Sequence, residues 1–294
     1  MRWVLLTVLV ATVACGARAQ GGGSATALEL LVRADWAADA AWDDGRAEVA
    51  TYRAERPVDG EPMAHTLHLV TQAEDFNKQY WTRADWPHGQ KPLMAVLAHH
   101  QIATVPTATT PLQTMISIFF ERRDVGRAVK VSAGTMEWRG MTFKEFEFWR
   151  NPPVFRYSSF RDGEGTGAVP LAGFDNNTFV EEELHLLVRA LRFGEGAEAW
   201  LRVTGPQATS RAAVPEAVPA RLVVERETEA VTVPAGTWAA EALWRVTLET
   251  RDGRLLRWRV ATEAPQALVE FTSSDGRRFE LESLERRAWW QSGG

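Results

Sequence analysis

Arg221-Leu-Val-Val-Glu-Arg-Glu-Thr-Glu-Ala-Val-Thr-Val233 opens the stretch that decides the fold, which runs on to Arg287. Its β-branched residues favour an extended chain, and Pro234-Ala-Gly236 then supplies a pre-set φ followed by a residue free to turn. Between 237 and 250, Trp238, Ala240, Ala242, Trp244, Val246 and Leu248 stand at even spacing, so one face of a strand carries them all. Asp252-Gly253 and Asp275-Gly276 are two-residue hairpin signals. With 255–260, 268–271 and 278–284 as the runs around them and Pro265 as an interruption, the segment reads as a five-stranded antiparallel meander.

Upstream, 45–55 and 64–71 pair across Pro57-Val-Asp-Gly60 as another hairpin. Residues 112–121 alternate and become wholly apolar at Ile118-Phe-Phe120, and 128–132, 142–150, 153–161 and 199–204 read as further strands. Met141, Phe143, Phe146, Phe148 and Trp149 make one of these dense in large side chains, which points to core packing. Residues 85–110, with Pro87, Pro92 and Pro106, read as irregular apart from a buried strand at 93–98.

Two segments carry a helical period. Leu28, Leu31, Val32, Ala38 and Trp42 mark an amphipathic helix over 25–42. Leu184, Leu187, Val188 and Leu191 mark a second over 179–193. Its N-cap lies at Asp175-Asn-Asn-Thr178, Glu181 to Glu183 occupy the first turn, and Arg189 and Arg192 the last, as a helix dipole favours. Gly194-Glu-Gly196 stops it. The expected fold class is α+β, mainly antiparallel β, as a curved sheet or incomplete barrel with one packed helix. The expected organisation is a signal peptide at 1–19, a tether at 20–24, a β-rich region with helices at 25–204, a connector at 205–219 and the meander at 220–290, either separate from the upstream sheet or continuous with it.

The 294 residues, 45% of them apolar, suffice for one large or two ordinary domains. A net charge of -5 argues against a general nucleic-acid binder. At the N-terminus, Arg2, the apolar or small run 3–14 and Ala17-Arg-Ala19 form a secretory signal, and the run is short of the roughly 20 residues a bilayer span needs. Cys15 follows Thr12-Val-Ala14 where a bacterial lipoprotein signal places its lipidated cysteine, although leucine is usual at the position of Thr12. Two readings therefore stand open: signal 1–14 with a lipid on Cys15, or cleavage after Ala19 with Cys15 discarded. Gln20-Gly-Gly-Gly-Ser24 suits both as a tether. Cys15 is the single cysteine, so the chain beyond it has no disulfide, thiolate metal site or cysteine nucleophile. The expected address is periplasmic, lipid-anchored or secreted.

No motif assigns chemistry. His65 and His68 are three apart, which on a strand faces them oppositely, and His99-His100 with an acid such as Asp85 or Glu137 has no ligand spacing. No serine stands in a G-x-S-x-G context, Ser117 and Ser132 included. Asp162-Gly-Glu-Gly-Thr-Gly167 lacks the Lys-Ser/Thr of a phosphate loop and the spacing of a calcium hand. With 38 acidic residues, the mere presence of carboxylates carries no weight. The reading assigns no catalytic residue, no metal and no cofactor, and leaves ligand-binding residues unknown. The 13 tryptophans suit sugar stacking, lipid-facing surfaces or cores, with core preferred for most. Trp289-Trp290 is a candidate apolar contact with another chain or a membrane.

Trp42-Asp-Asp-Gly-Arg-Ala-Glu48 with Tyr52, and Thr114-Met115, Ser117, Phe119, Ser132 and Glu137-Trp-Arg-Gly140, resemble a family of uncharacterised exported bacterial proteins. The meander resembles a domain of unknown function of bacterial envelope proteins through Val233-Pro-Ala-Gly-Thr237, Trp258, Pro265 and Asp275-Gly-Arg-Arg-Phe-Glu-Leu-Glu-Ser283. These resemblances imply an exported β-rich fold, with a fold-level analogy to periplasmic lipoprotein carriers, and no catalytic residue. The leading expectation is an exported non-enzymatic envelope protein that binds an apolar ligand or lipid in a curved sheet. The alternatives are an exported hydrolase with an unassigned acid/His site and a membrane-anchored structural or interaction protein. Oligomeric state is open.

Overall fold

Period-two patterning runs through most of the chain. In a computed structural model that describes residues 28, 31–33 and 35–288, it produces eighteen strands. They are β1 Ala47–Val58, β2 Glu61–Asn77, β3 Thr82–Arg83, β4 Leu93–Val105, β5 Leu112–Glu121, β6 Asp124–Glu137, β7 Gly140–Glu147, β8 Val154–Ser158 and β9 Thr166–Pro170. There follow β10 Thr178–Phe179, β11 Ala197–Val203, β12 Val218–Arg226, β13 Val231–Val233, β14 Gly236–Trp238, β15 Leu243–Thr250, β16 Leu255–Ala261, β17 Leu268–Ser273 and β18 Arg278–Arg287.

Sixteen strands share one sheet in the order β10-β11-β12-β15-β16-β17-β18-β1-β2-β4-β5-β6-β7-β8-β9, with β3 added on β2. All neighbours are antiparallel except β10 and β11. The meander and the upstream strands meet where β18 pairs with β1, Ala47 opposite Arg287 and Glu55 opposite Arg278. The sheet curls until its inner faces share one core, but it does not close, and its edges β9 and β10 are linked by 171–177. This is an α+β, mainly antiparallel fold.

Alternation decides which side chains enter. β5 buries Ile116, Ile118 and Phe120 and turns Met115 outward; β15 buries Trp244, Val246 and Leu248 as its even spacing requires. Gly253 and Gly276 sit at φ near +88° and +89° in the two Asp-Gly hairpins, a conformation that side chains with a Cβ rarely adopt. Tryptophan divides: Trp36, Trp42, Trp244 and Trp258 are buried, whereas Trp86, Trp138 and Trp200 are exposed. In the dense segment, Phe146 enters the core while Met141 and Phe143 face solvent, because β7 gives its inner positions to Thr142, Lys144 and Phe146.

Inside the sheet runs the segment 178–191, buried at every position. It is not the regular amphipathic helix that its period suggests. One turn of 3₁₀ helix, Glu181–Glu183, leads into a single α-turn, α1 Leu184–Leu187, and a second 3₁₀ turn, Val188–Ala190. Sheet surrounds the segment, so its charged side chains find partners on the strands. Glu181 lies 2.6 Å from both Arg254 and Arg277 at the meander hairpins. Arg189 binds both carboxylate oxygens of Glu48 on β1 at 2.7 and 3.0 Å and donates to the carbonyls of Pro265 and Gln266. The segment leaves the interior beside Leu31 to Arg33, where Val32 bridges Leu191.

Other expectations shift for local reasons. The run 221–233 breaks after β12, where buried Glu227 accepts from Arg245 and Arg259. The run 237–250 breaks at the 3₁₀ turn Ala240–Ala242. The region 85–110 contains the full strand β4, supported on both sides by β2 and β5. Of the proposed helix 25–42, the described part leaves helix by Val32 and ends in the 3₁₀ turn Ala40–Trp42. Trp36 there donates to Gln266 and Trp42 donates to the Trp36 carbonyl, which folds both indoles inward. The signal segment, Cys15, the 20–24 tether and Trp289-Trp290 lie outside the described residues.

Arg189→Ala leaves Glu48 buried without its bidentate partner, so unfolding in urea is expected to show a loss of about 3–5 kcal/mol. Replacing both residues by methionine is expected to cost much less, since no uncompensated charge then remains.

Candidate functional site

The connector 205–217 crosses one end of the curled sheet, the end where the β1–β2, β4–β5 and β17–β18 turns lie. Polar side chains on the inner ends of the strands hold its backbone. Arg56 donates to the Ala208 carbonyl, Lys144 to Gln207 and Thr209, and Thr142 and Arg161 to Ser210. Lys144 is almost wholly buried, and burial lowers its pKa to about 8 against the opposing pull of Glu182 and Glu164.

Between this strap, the buried segment and the strand ends lies a cavity of about 80 Å³. Glu182 and His185 reach it from the buried segment, Arg56 and His65 from β1 and β2, Gln101 and Thr114 from β4 and β5, and Arg277 from the β17–β18 hairpin, with Phe271 and Phe279 as apolar wall. It is lined by acid, base, hydroxyl and amide together.

Hydrogen bonding at Glu182 is lopsided. Its Oε1 accepts from the amides of Gln207 and Ala208 at 2.6 and 3.2 Å, whereas Oε2 is shut from solvent with no partner. Arg56 has the complementary defect: its side chain donates to the Ala208 carbonyl at 2.8 Å, but Nε is buried with no acceptor. Burial, and then the Arg277 charge, hold the Arg56 pKa below its usual value. A buried carboxylate oxygen and a buried guanidinium N–H left unmade each cost free energy, and the two side chains that carry them line the same small cavity.

His185 has a defined role in hydrogen bonding. Trp258 Nε1 donates to its Nδ1 at 3.0 Å, so the neutral ring carries its hydrogen on Nε2 and is a donor there. Burial first, and Arg277 second, push its pKa down to about 3. A neutral imidazole with its acceptor nitrogen already engaged cannot take a proton from a substrate.

The histidines flagged from sequence separate. His65 faces the cavity, and His68 lies on the outer face beside Thr51. His99 points inward to Thr71 and His100 outward to Ser117, so the adjacent pair cannot share an ion. Ser132 donates to Glu145 and Glu137 pairs with Arg161, both away from the cavity. Asp85 is exposed in the β3–β4 loop. Sequence reasoning missed Arg56, Gln101, Thr114, Glu182, His185 and Arg277. The available signal was Glu181-Glu-Glu183 followed by His185 inside an apolar run: charges on successive helical positions spread around the axis and cannot all face water.

Comparisons with known proteins add little. No family model and no curated protein matches the chain. Among solved structures, the chain is similar to the crystal structure of a beta-barrel-like protein of the domain of unknown function DUF1849 from Brucella abortus, at 10% identity and a TM-score of 0.46, covering 82% of this chain and 97% of that one.

The buried titratable groups set the pH dependence of stability. Burial depresses His185 to about 3, His100 to about 4 and His99 well below its usual value. Between about pH 6.5 and 4 the unfolded chain binds protons that the native chain refuses, so stability falls as pH falls through this window. Burial raises Glu183 to about 8, so between about pH 4.5 and 8 the native chain keeps a proton the unfolded chain releases, and stability falls as pH rises. Each group contributes at most about 1.4 kcal/mol per pH unit. Urea midpoints are expected to drop below pH 6.5, where the histidines outnumber Glu183, and to decline again from pH 6.5 to 8. Glu183→Gln should remove the second decline and leave the first.

Proposed function

We propose that this is an exported, non-enzymatic envelope protein that binds a small ligand at the strapped end of its curved sheet. The observation that carries the reading is the cavity that Glu182, Arg56 and His185 line together, the first two each with one buried polar atom, Oε2 and Nε, left without a partner. A ligand that donates to the carboxylate and accepts from the guanidinium and from His185 would satisfy them together. The expectation of a lipid lying along the concave face is modified, because the segment 178–191 and its own side chains occupy that space. An apolar part of the ligand would instead meet Phe271 and Phe279. The tautomer of His185 and its low pKa count against a hydrolase, the alternative with an unassigned acid/His site, that would use this histidine as its base.

Export rests on Arg2, the run 3–14 and Ala17-Arg-Ala19, and anchoring on Cys15. Expression of the full chain and of Cys15→Ala, followed by detergent-phase partitioning, separates the two mature forms. Transfer of the protein from the membrane to the soluble fraction on substitution supports the lipid anchor, and unchanged solubility supports cleavage after Ala19.

Native mass spectrometry of gently purified protein is expected to show a bound small molecule that Glu182→Ala releases while the far-UV circular dichroism stays β-rich. A high-resolution crystal structure in which ordered waters alone bridge Glu182 to Arg56, with no mass shift in the purified protein, would sink the proposal.

A further inference from the structure

A second hollow lies at the opposite end of the strands. The β5–β6 turn, the start of β4, the exit of β7 and the 171–177 link between the sheet edges surround two adjoining spaces of about 550 and 250 Å³. Arg127, Phe148 and Trp149 line both, which makes them one groove.

The floor of this groove is aromatic. Trp81 and Trp149 stack with centroids 4.7 Å apart and planes 7° from parallel, and both rings are half-buried rather than enclosed. Trp81 is held there at a cost, because its φ of 51° is a left-handed conformation that a bulky residue rarely takes. The Asn77 carbonyl accepts from its amide at 2.8 Å, and Lys130 donates to its carbonyl at 3.1 Å. The same lysine lies 5.8 Å from the Trp149 ring centre. Trp81 touches the buried Phe76 at a centroid distance of 6.5 Å, but neither tryptophan enters the main apolar core.

The walls are polar and planar. Asn151 and Asn176 supply amides on one side, where Asn177 donates to the Trp200 carbonyl and Asp175 accepts from Asn177 and Thr178, with Glu121 and Asp124 on the other. Arg127 and Arg150 stand among these acids, but Arg150 is paired with Glu147, so the lining leans acidic, which disfavours an anionic ligand and suits hydroxyls that donate to carboxylates and amide oxygens. Flat apolar faces ringed with donors and acceptors match a pyranose, whose axial C–H groups stack on indole while its equatorial hydroxyls reach the amides. A volume of about 550 Å³ admits more than one sugar unit.

From this combination we infer that the groove over Trp81 and Trp149 is a carbohydrate site for a neutral oligosaccharide. It is separate from the strapped cavity and does not depend on what that cavity holds. The experiment titrates the folded mature chain with cellohexaose, chitohexaose and maltohexaose, reading intrinsic tryptophan fluorescence and saturation-transfer NMR. At least one probe is expected to saturate below about 10 mM. Trp149→Ala should then weaken it roughly ten-fold, the scale of one lost aromatic contact. Trp149→Phe should retain most of the affinity, which keeps the test valid if the alanine variant loses structure. Trp138→Ala, on an exposed tryptophan of the β6–β7 turn at the other end of the strands, should leave binding unchanged. Failure of all three sugars to saturate, or equal binding by a folded Trp149→Ala, overturns the inference.

Discussion

The buried pair of Arg189 and Glu48 is the constraint on which the rest depends. A curved sheet of sixteen strands encloses more space than its own side chains fill, and this chain fills it with its segment 178–191. That segment is charged, and charges removed from water must be matched. Arg189 is matched by Glu48 on the first strand of the sheet, and Glu181 by two arginines on the last hairpins. The pairs join the upstream and downstream halves of the sheet through its centre, adding to the direct pairing of β18 with β1.

The same economy explains the strapped end. Connector 205–217 has no regular structure, so its buried backbone groups need partners from elsewhere, and Lys144, Arg56, Thr142, Arg161 and Glu182 provide them. Glu182 and Arg56 are thus half committed to structure, with one atom each still unfilled. A group fixed by one hydrogen bond and unpartnered at another atom is held rigidly, which is why the cavity is more informative than its size suggests.

Several sequence features transferred directly. The two Asp-Gly hairpins, the alternation in β15 and the bounds of β5 appear as read, because turn type and strand period are local properties of the chain. Region 85–110 did not transfer, since β4 owes its length to β2 and β5 on either side rather than to its own composition. His65 faces opposite to His68 on its strand, as their spacing requires, but the cavity it lines is shared with Glu182 and Arg277, which lie more than a hundred residues away.

By itself, the sequence determined that the chain is mainly antiparallel β, where its hairpins turn and which histidines oppose one another across a strand, because each of these follows from neighbours a few residues apart. Only the tertiary structure decided that the best helical period would become a buried, ion-paired segment, that a Pro- and Ala-rich connector would strap the sheet, and that Glu182 and Arg56 would line one cavity. Those outcomes follow from burial, which converts surface charges into groups that must be paired, and burial at any one residue is set by the whole sheet.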